Sequence, residues 1–134
     1  MTEYSAETIE AGKKFIESMG NITIDPDELR VVARRMKTHA ENLAPIATSA
    51  SNISSTASAQ AAEFTRNHQP APIYADTITG LKHTGTAFKT NIDKIATQLS
   101  SDAELLRYVA DAQDASTEEH VEKVNQIAPE TTTV

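Results

Sequence analysis

The chain has 134 residues, a formal net charge of −7 and a pI near 5.0, with 39% hydrophobic and 4% aromatic residues. That is one domain's worth of sequence, too rich in alanine for a thick core and too acidic to neutralise a run of phosphates, which excludes nucleic acid as a partner. With no cysteine there is no disulfide frame or thiolate chemistry, no apolar run approaches the roughly 18 residues of a membrane span, and "MTEYSAETIE" lacks the apolar stretch of a secretory signal peptide.

The first element is a short amphipathic helix over residues 5–19, "SAETIEAGKKFIESM", with Ile9, Ala11, Phe15 and Ile16 on its apolar side and Gly20 as its stop. The β-branched "NITID" that follows reads as extended linker. A long helix then begins at "IDPDELRVVARRMKTHAENL". Asp25 is a good N-cap, Pro26 suits the first helical position, and Asp27 and Glu28 place negative charge where the helix dipole favours it.

Two seven-residue rows run along this helix. One is Leu29, Met36, Leu43, Ala50, Ala57 and Phe64; the other is Ala33, Ala40, Ala47, Ser54 and Ala61. The pattern is that of a coiled-coil seam, with small residues that let two helices approach closely. Pro45 removes the amide that would bond the carbonyl of Glu41, which predicts a local kink rather than a break. The stretch "ATSASNISSTASAQ" has the composition of a linker, but the continuing heptad phase favours helix.

"RNHQPAPIYAD" ends the first long helix, because Pro70 and Pro72 force Gln69 and Ala71 into extended geometry. A second long helix starts near Ile73. Its predicted seam is Ile78, Leu81, Gly85, Phe88, Ile92, Ile95 and Leu99, after which the phase slips to Ala103, Leu106 and Ala110, with Val121 and Val124 in the last turns. Gly85 reads as a point of close helix packing. "APETTTV" is a polar tail.

Two long helices joined by a short proline-rich turn lie antiparallel. The predicted fold is therefore all-α: a coiled-coil-like two-helix hairpin with its turn near residues 66–73 and a short extra N-terminal helix. Residues 1–22 form the N-terminal segment, 23–127 the hairpin and 128–134 the tail. One stripe per helix leaves apolar surface uncovered. The expected remedy is more helices: pairing into a four-helix bundle, as a homodimer or with another helical protein, or residues 5–19 as a third helix over the seam.

Catalytic chemistry is missing from the pattern. His39, His68, His83 and His120 form no i, i+4 pair and no HExxH motif, no serine sits in GxSxG, and no glycine-rich phosphate loop is present. The acceptor patterns at Asn21 and Asn52 are expected by chance in a chain this rich in serine and threonine. The expectation is a non-enzymatic protein with neither cofactor nor metal.

The run Ile24, Asp25, Pro26, Leu29, Arg30 and Ala33, leading into a small acidic hairpin without cysteine, resembles the WXG superfamily of type VII (ESX) secretion substrates, and within it the EspC-like ESX secretion-associated branch. The resemblance covers residues 23–117. The chain departs from the family pattern in having no tryptophan: Ile78 and Gly80 stand where Trp-x-Gly would fall. The resemblance implies an export signal, Tyr-x-x-x-Asp/Glu, after the second helix. Here Tyr108 is followed by Asp111 and Asp114, with Ala112 at the signal's acidic position. It further implies a protein secreted or surface-exposed by a Sec-independent route, cytoplasmic before export, paired with a similar small helical protein or a larger effector and handled by an export ATPase.

Tyr108 lies about 200° around the helix from both Leu106 and Ala110, which predicts that it projects outward with Asp111 beside it. Its alternative reading is packing against Leu105 and Leu106. Two further functions stay open: a cytoplasmic helical adaptor, and an immunity or inhibitor protein that binds an effector through its acidic surface.

Overall fold

The computed structural model describes the backbone of residues 3–20 and 22–127, and side chains to residue 119. The tail 128–134, the acceptor Asn21 and the side chains of His120, Val121 and Val124 lie outside the described residues. The fold is all-α. Three helices follow in chain order: α1 (Ala6–Met19), α2 (Pro26–Ala62) and α3 (Ala75–Ile127), with one 3₁₀ turn, Pro72–Tyr74, ahead of α3. The two long helices pack antiparallel as a hairpin. The chain forms two compact units: one contains α1, α2 up to Lys37 and α3 from Ser100, and the other runs from Thr38 to Leu99.

Local chemistry sets the helix ends. The Ser5 hydroxyl accepts from the Thr8 amide at 3.1 Å to cap α1. Gly20 ends α1 with φ 60, a conformation that glycine adopts without steric cost. Asp25 caps α2, its carboxylate accepting from the Asp27 amide at 2.9 Å. Helix α2 continues through Pro45 and through the whole serine-rich stretch. It stops at Ala62, before Phe64. The Thr65 hydroxyl lies 2.8 Å from the carbonyl oxygens of both Ala62 and Gln69, and the Asn67 side chain accepts from the Gln69 amide at 3.2 Å. These local bonds compete with further helix. Pro70 and Pro72 then delay α3 to Ala75.

In the Thr38–Leu99 unit the seam is built from small side chains. Ala40, Ala47 and Ala50 of α2 and Ile92 of α3 are buried. Gly85 is buried too, and a Cβ placed on it would lie 2.5 Å from the carbonyl oxygen of Ala50. The helices therefore touch backbone to side-chain-free backbone at this point.

That contact corrects the expected seam of α3. Phe88 and Ile95 are 53% and 54% exposed, and Phe64, beyond the end of α2, is 94% exposed. The row opposite Gly85 and Ile92 is completed by Lys89 and Ala96, both partly buried. Helices held at a glycine–alanine distance have no room for a phenylalanine ring between them, so the bulky side chains sit on the flank. The rows 85, 92, 99, 106 and 89, 96, 103, 110 keep one phase along α3. The predicted slip after Leu99 came from assigning Phe88 and Ile95 to the seam. Met36, Leu43, Ile78, Leu81 and Leu99 are partly buried and Leu29 is fully buried, in keeping with their expected places.

The other unit has a three-helix core. Leu29 of α2 and Val109 and Ala110 of α3 are buried together, with Phe15, Ile16 and Met19 of α1, Ile24 of the linker, and Leu105, Leu106 and Tyr108 of α3 packed around them. The inner face of α1 is centred on Thr8 and Gly12, its two buried residues. Ile9 and Ala11 are only partly buried.

The glycines of α3 yield a paired prediction. Nothing lies within 4 Å of a Cβ at Gly80, so Gly80→Ala gains about 1 kcal/mol of helix propensity. The same substitution at Gly85 forces a methyl group onto a backbone oxygen and costs about 1–3 kcal/mol. Thermal melts should move in opposite directions; matching shifts would mean that the helices are not held this close.

Candidate functional site

Two regions stand out, one in each unit. The first gathers the residues of the expected export signal. Arg30, on the first turns of α2, reaches α3, where its Nη2 donates to Asp111 at 2.9 Å and also to Asp114; its Nη1 donates to Asp27 at 3.2 Å. The hydroxyl of Tyr4, ahead of α1, donates to the second oxygen of Asp111. The Thr8 hydroxyl donates to Glu104 at 3.2 Å. One guanidinium and two hydroxyls thus tie α2, α1 and the residues just ahead of α1 to the carboxylates of α3.

Tyr108 belongs to this cluster in an unexpected way. It leaves the α2–α3 seam, as its angular position requires, yet it does not project freely. Helix α1 crosses that side. A Cβ on Gly12 would lie 2.1 Å from Cδ1 of the Tyr108 ring, so the ring rests against the α1 backbone. Tyr4 meets the ring edge-on, centroids 5.6 Å apart and planes at 86°. The outward tyrosine with acids beside it is therefore corrected. Tyr108 is half-buried, and Asp111 and Asp114 turn toward Arg30.

The electrostatics follow from this pairing. Burial alone would raise the Asp111 carboxyl, but hydrogen bonds from Arg30 and Tyr4 outweigh it and hold the group below the usual carboxylate range. The Tyr4 phenol is pushed up to about 12, first by burial and then by its bond to Asp111 and that residue's negative charge. Hydrogen bonds to Asp111 and Asp114 raise the Arg30 guanidinium further.

Beside the cluster lies an open groove of about 520 Å³, where Arg30, Arg34, Lys37 and Arg107 face Glu104 and Asp111. Charges of both signs offset one another there, so it is not a single-sign anion site. Among the described residues no group of three His, Cys, Asp or Glu side chains is placed to hold a metal ion. No helix is long and apolar enough to cross a membrane, again among the described residues.

The second region is an apolar flank in the Thr38–Leu99 unit. Ile46 and Ile53 neighbour Ala50 on the helix surface, four residues before and three after it; Leu81 and Phe88 stand in the same relation to Gly85. Because Ala50 meets Gly85 and the helices are antiparallel, these four side chains border the same edge of the hairpin. Ile95 extends the row by one heptad. Ile46, Ile53, Phe88 and Ile95 are about half exposed. The next positions outward are Asn42, Ser49 and Thr56 on α2 and Thr77, Thr84 and Asn91 on α3. None of them is charged, in a chain of net charge −7.

Sequence reasoning named Tyr108, Asp111 and Asp114 but missed Tyr4, which holds Asp111, Gly12, which seats the Tyr108 ring, and Thr8, which ties α1 to Glu104 beside them. Glycine and threonine do not register on an apolar periodicity, and Tyr4 lies more than 100 residues from its partner. The chain matches no known family model, no curated protein and no solved structure.

The sign of the pH dependence follows from the two shifts. A depressed Asp111 stabilises the fold above the ordinary aspartate pKa of about 3.9, and that contribution is lost as pH falls through the lower folded value. A raised Tyr4 contributes fully below its unfolded value near 10.0 and is lost as pH rises through about 12. Asp111→Asn should therefore cost about 1 kcal/mol at pH 7, the upper end for exposed pairs. The difference from the unaltered chain in denaturant melts should shrink as pH falls below about 3.9 and disappear once Asp111 is protonated in the folded state as well. A cost that persists at low pH would assign the loss to packing instead of charge.

Proposed function

We propose that this protein is a non-enzymatic, type VII secretion-associated protein that acts by helix pairing, with a second copy of itself or with a similar small helical protein or larger effector. The observation that carries the reading is the uncharged apolar flank of Ile46, Ile53, Phe88 and Ile95. Single exposed apolar side chains need no explanation. A row of them bordered on both sides by neutral residues does, since larger contiguous patches mark interaction sites. Two such flanks brought together would form a four-helix layer, and the absence of charge removes the repulsion that two acidic copies would otherwise meet. Burying side chains of this size contributes roughly 1.5–3 kcal/mol each. The resemblance to the EspC-like branch supplies the export half of the reading, including the Sec-independent route and the export ATPase.

The covering of Tyr108 by α1 favours a second reading, a helical adaptor that is never exported and in which Tyr108 serves packing. The two are separated by assaying culture filtrate for the native chain.

Pairing itself is tested with Phe88→Glu and Ile46→Glu. Both side chains are already exposed, so helix content should stay unchanged while the particle mass in light scattering halves from that of a dimer to 14.5 kDa. For a chain that pairs only with another protein, the same substitutions should abolish co-purification with it. A native chain that is monomeric, and whose Phe88→Glu variant keeps every partner, would overturn pairing through this flank.

A further inference from the structure

We propose that α1 is a displaceable strap, an intramolecular occupant of a helix-docking seat on α3 that withholds the Tyr108 ring until it lifts. The seat is defined by what α1 presents to it. Gly12 gives the Tyr108 ring its close approach, while the Tyr4 and Thr8 hydroxyls reach Asp111 and Glu104. A helix with a glycine over the ring and a hydroxyl toward Glu104, preceded by one toward Asp111, fits there, and α1 with Tyr4 just ahead of it is such a segment supplied in cis.

Three observations point to displacement rather than permanent layering. Only Thr8 and Gly12 of the 14 residues of α1 are fully buried; Phe15, Ile16 and Met19 pack on the core with part of their surface still exposed, and the two latches, Tyr4 just ahead of α1 and Thr8 within it, are polar. A helix of this length is marginal in water once undocked, so a lifted α1 melts and does not simply redock as a rigid body. The underlying structure also has its own support. Helix α2 is capped by Asp25 through the Asp27 amide, independently of α1, and Arg30 ties α2 to Asp111 and Asp114 directly. Gly20, exposed and at φ 60, supplies the joint between strap and hairpin. Regions held by few buried apolar contacts open at lower free energy than the core beneath them. Phe15, Ile16 and Met19, packed on the Val109 cluster, keep the closed form dominant.

The functional half of this proposal rests on the export reading above; the structural half does not. The experiment uses the full chain. Hydrogen exchange should show the amides of Thr8–Met19 exchanging at least tenfold faster than those of Leu29–Ala40. Tyr4→Phe, which removes one latch, should accelerate α1 exchange severalfold and leave α2 and α3 unchanged. Gly12→Leu, which drives a side chain into the ring, should raise nitration of Tyr108 by tetranitromethane at least tenfold, toward the rate of the exposed Tyr74. A synthetic peptide of residues 3–20 with the native sequence should then bind the Gly12→Leu chain and restore protection of Tyr108. Native α1 amides that exchange in step with α2 and α3 would overturn the strap, as would a Tyr4→Phe chain with unaltered α1 exchange. Export is read separately: a Gly12→Leu chain that opens yet never reaches the culture filtrate supports the strap and counts against the secretion reading.

Discussion

The contact between Gly85 and the carbonyl of Ala50 governs the Thr38–Leu99 unit. A helix pair can approach this closely only where one partner has no side chain, and the alanines at 40, 47 and 50 keep the rest of the seam equally thin. Close packing of small residues offers less buried area per residue than a leucine seam. It therefore leaves the larger apolar side chains of the same helices without a place inside. Ile46, Ile53, Phe88 and Ile95 are on the flank for that reason. The apolar edge that suits the protein for pairing is thus a direct consequence of how near its two helices lie.

The unit that contains α1 solves a different problem. Here the helices carry larger residues, and Val109 has no accessible surface at all. A third helix is present to complete the cover. The polar ties differ in kind from the apolar ones. Arg30 joins α2 to α3 through two carboxylates, whereas α1 is attached through hydroxyls to Asp111 and Glu104. Hydrogen bonds to a carboxylate are stronger when the donor is charged, so the α2–α3 tie outranks the α1 tie. Asp111 serves both, which makes it the residue through which the attachment of α1 and the closure of the hairpin end are coupled.

Much of the architecture was legible from residues alone. The Asp25 and Gly20 signals marked helix ends because capping is decided within four residues of chain. The alanine row at 33, 40, 47 and the close contact at Gly85 followed from periodicity and from the cost of an unexplained glycine in a helix. The serine-rich stretch was rightly placed in a helix by its phase, although Phe64, the last residue of one of its rows, lies beyond the helix end. The seam of α3 was misassigned at Phe88 and Ile95 because hydrophobicity ranks them above Lys89 and Ala96. A periodicity argument weighs how apolar a side chain is, and it has no term for the space available.

The sequence by itself determined the class of fold, the number of long helices, their antiparallel order and most of their ends, because these depend on interactions local in the chain. Only the tertiary structure decided which stripe of each helix faces inward and what happens to Tyr108. Those outcomes depend on the distance between helix axes and on a contact between residues 4 and 111, neither of which is encoded in any short window. The outward tyrosine was correctly placed relative to α2. Helix α1 then occupied that side, because Gly12 and Thr8 offered a surface flat enough to lie against an aromatic ring.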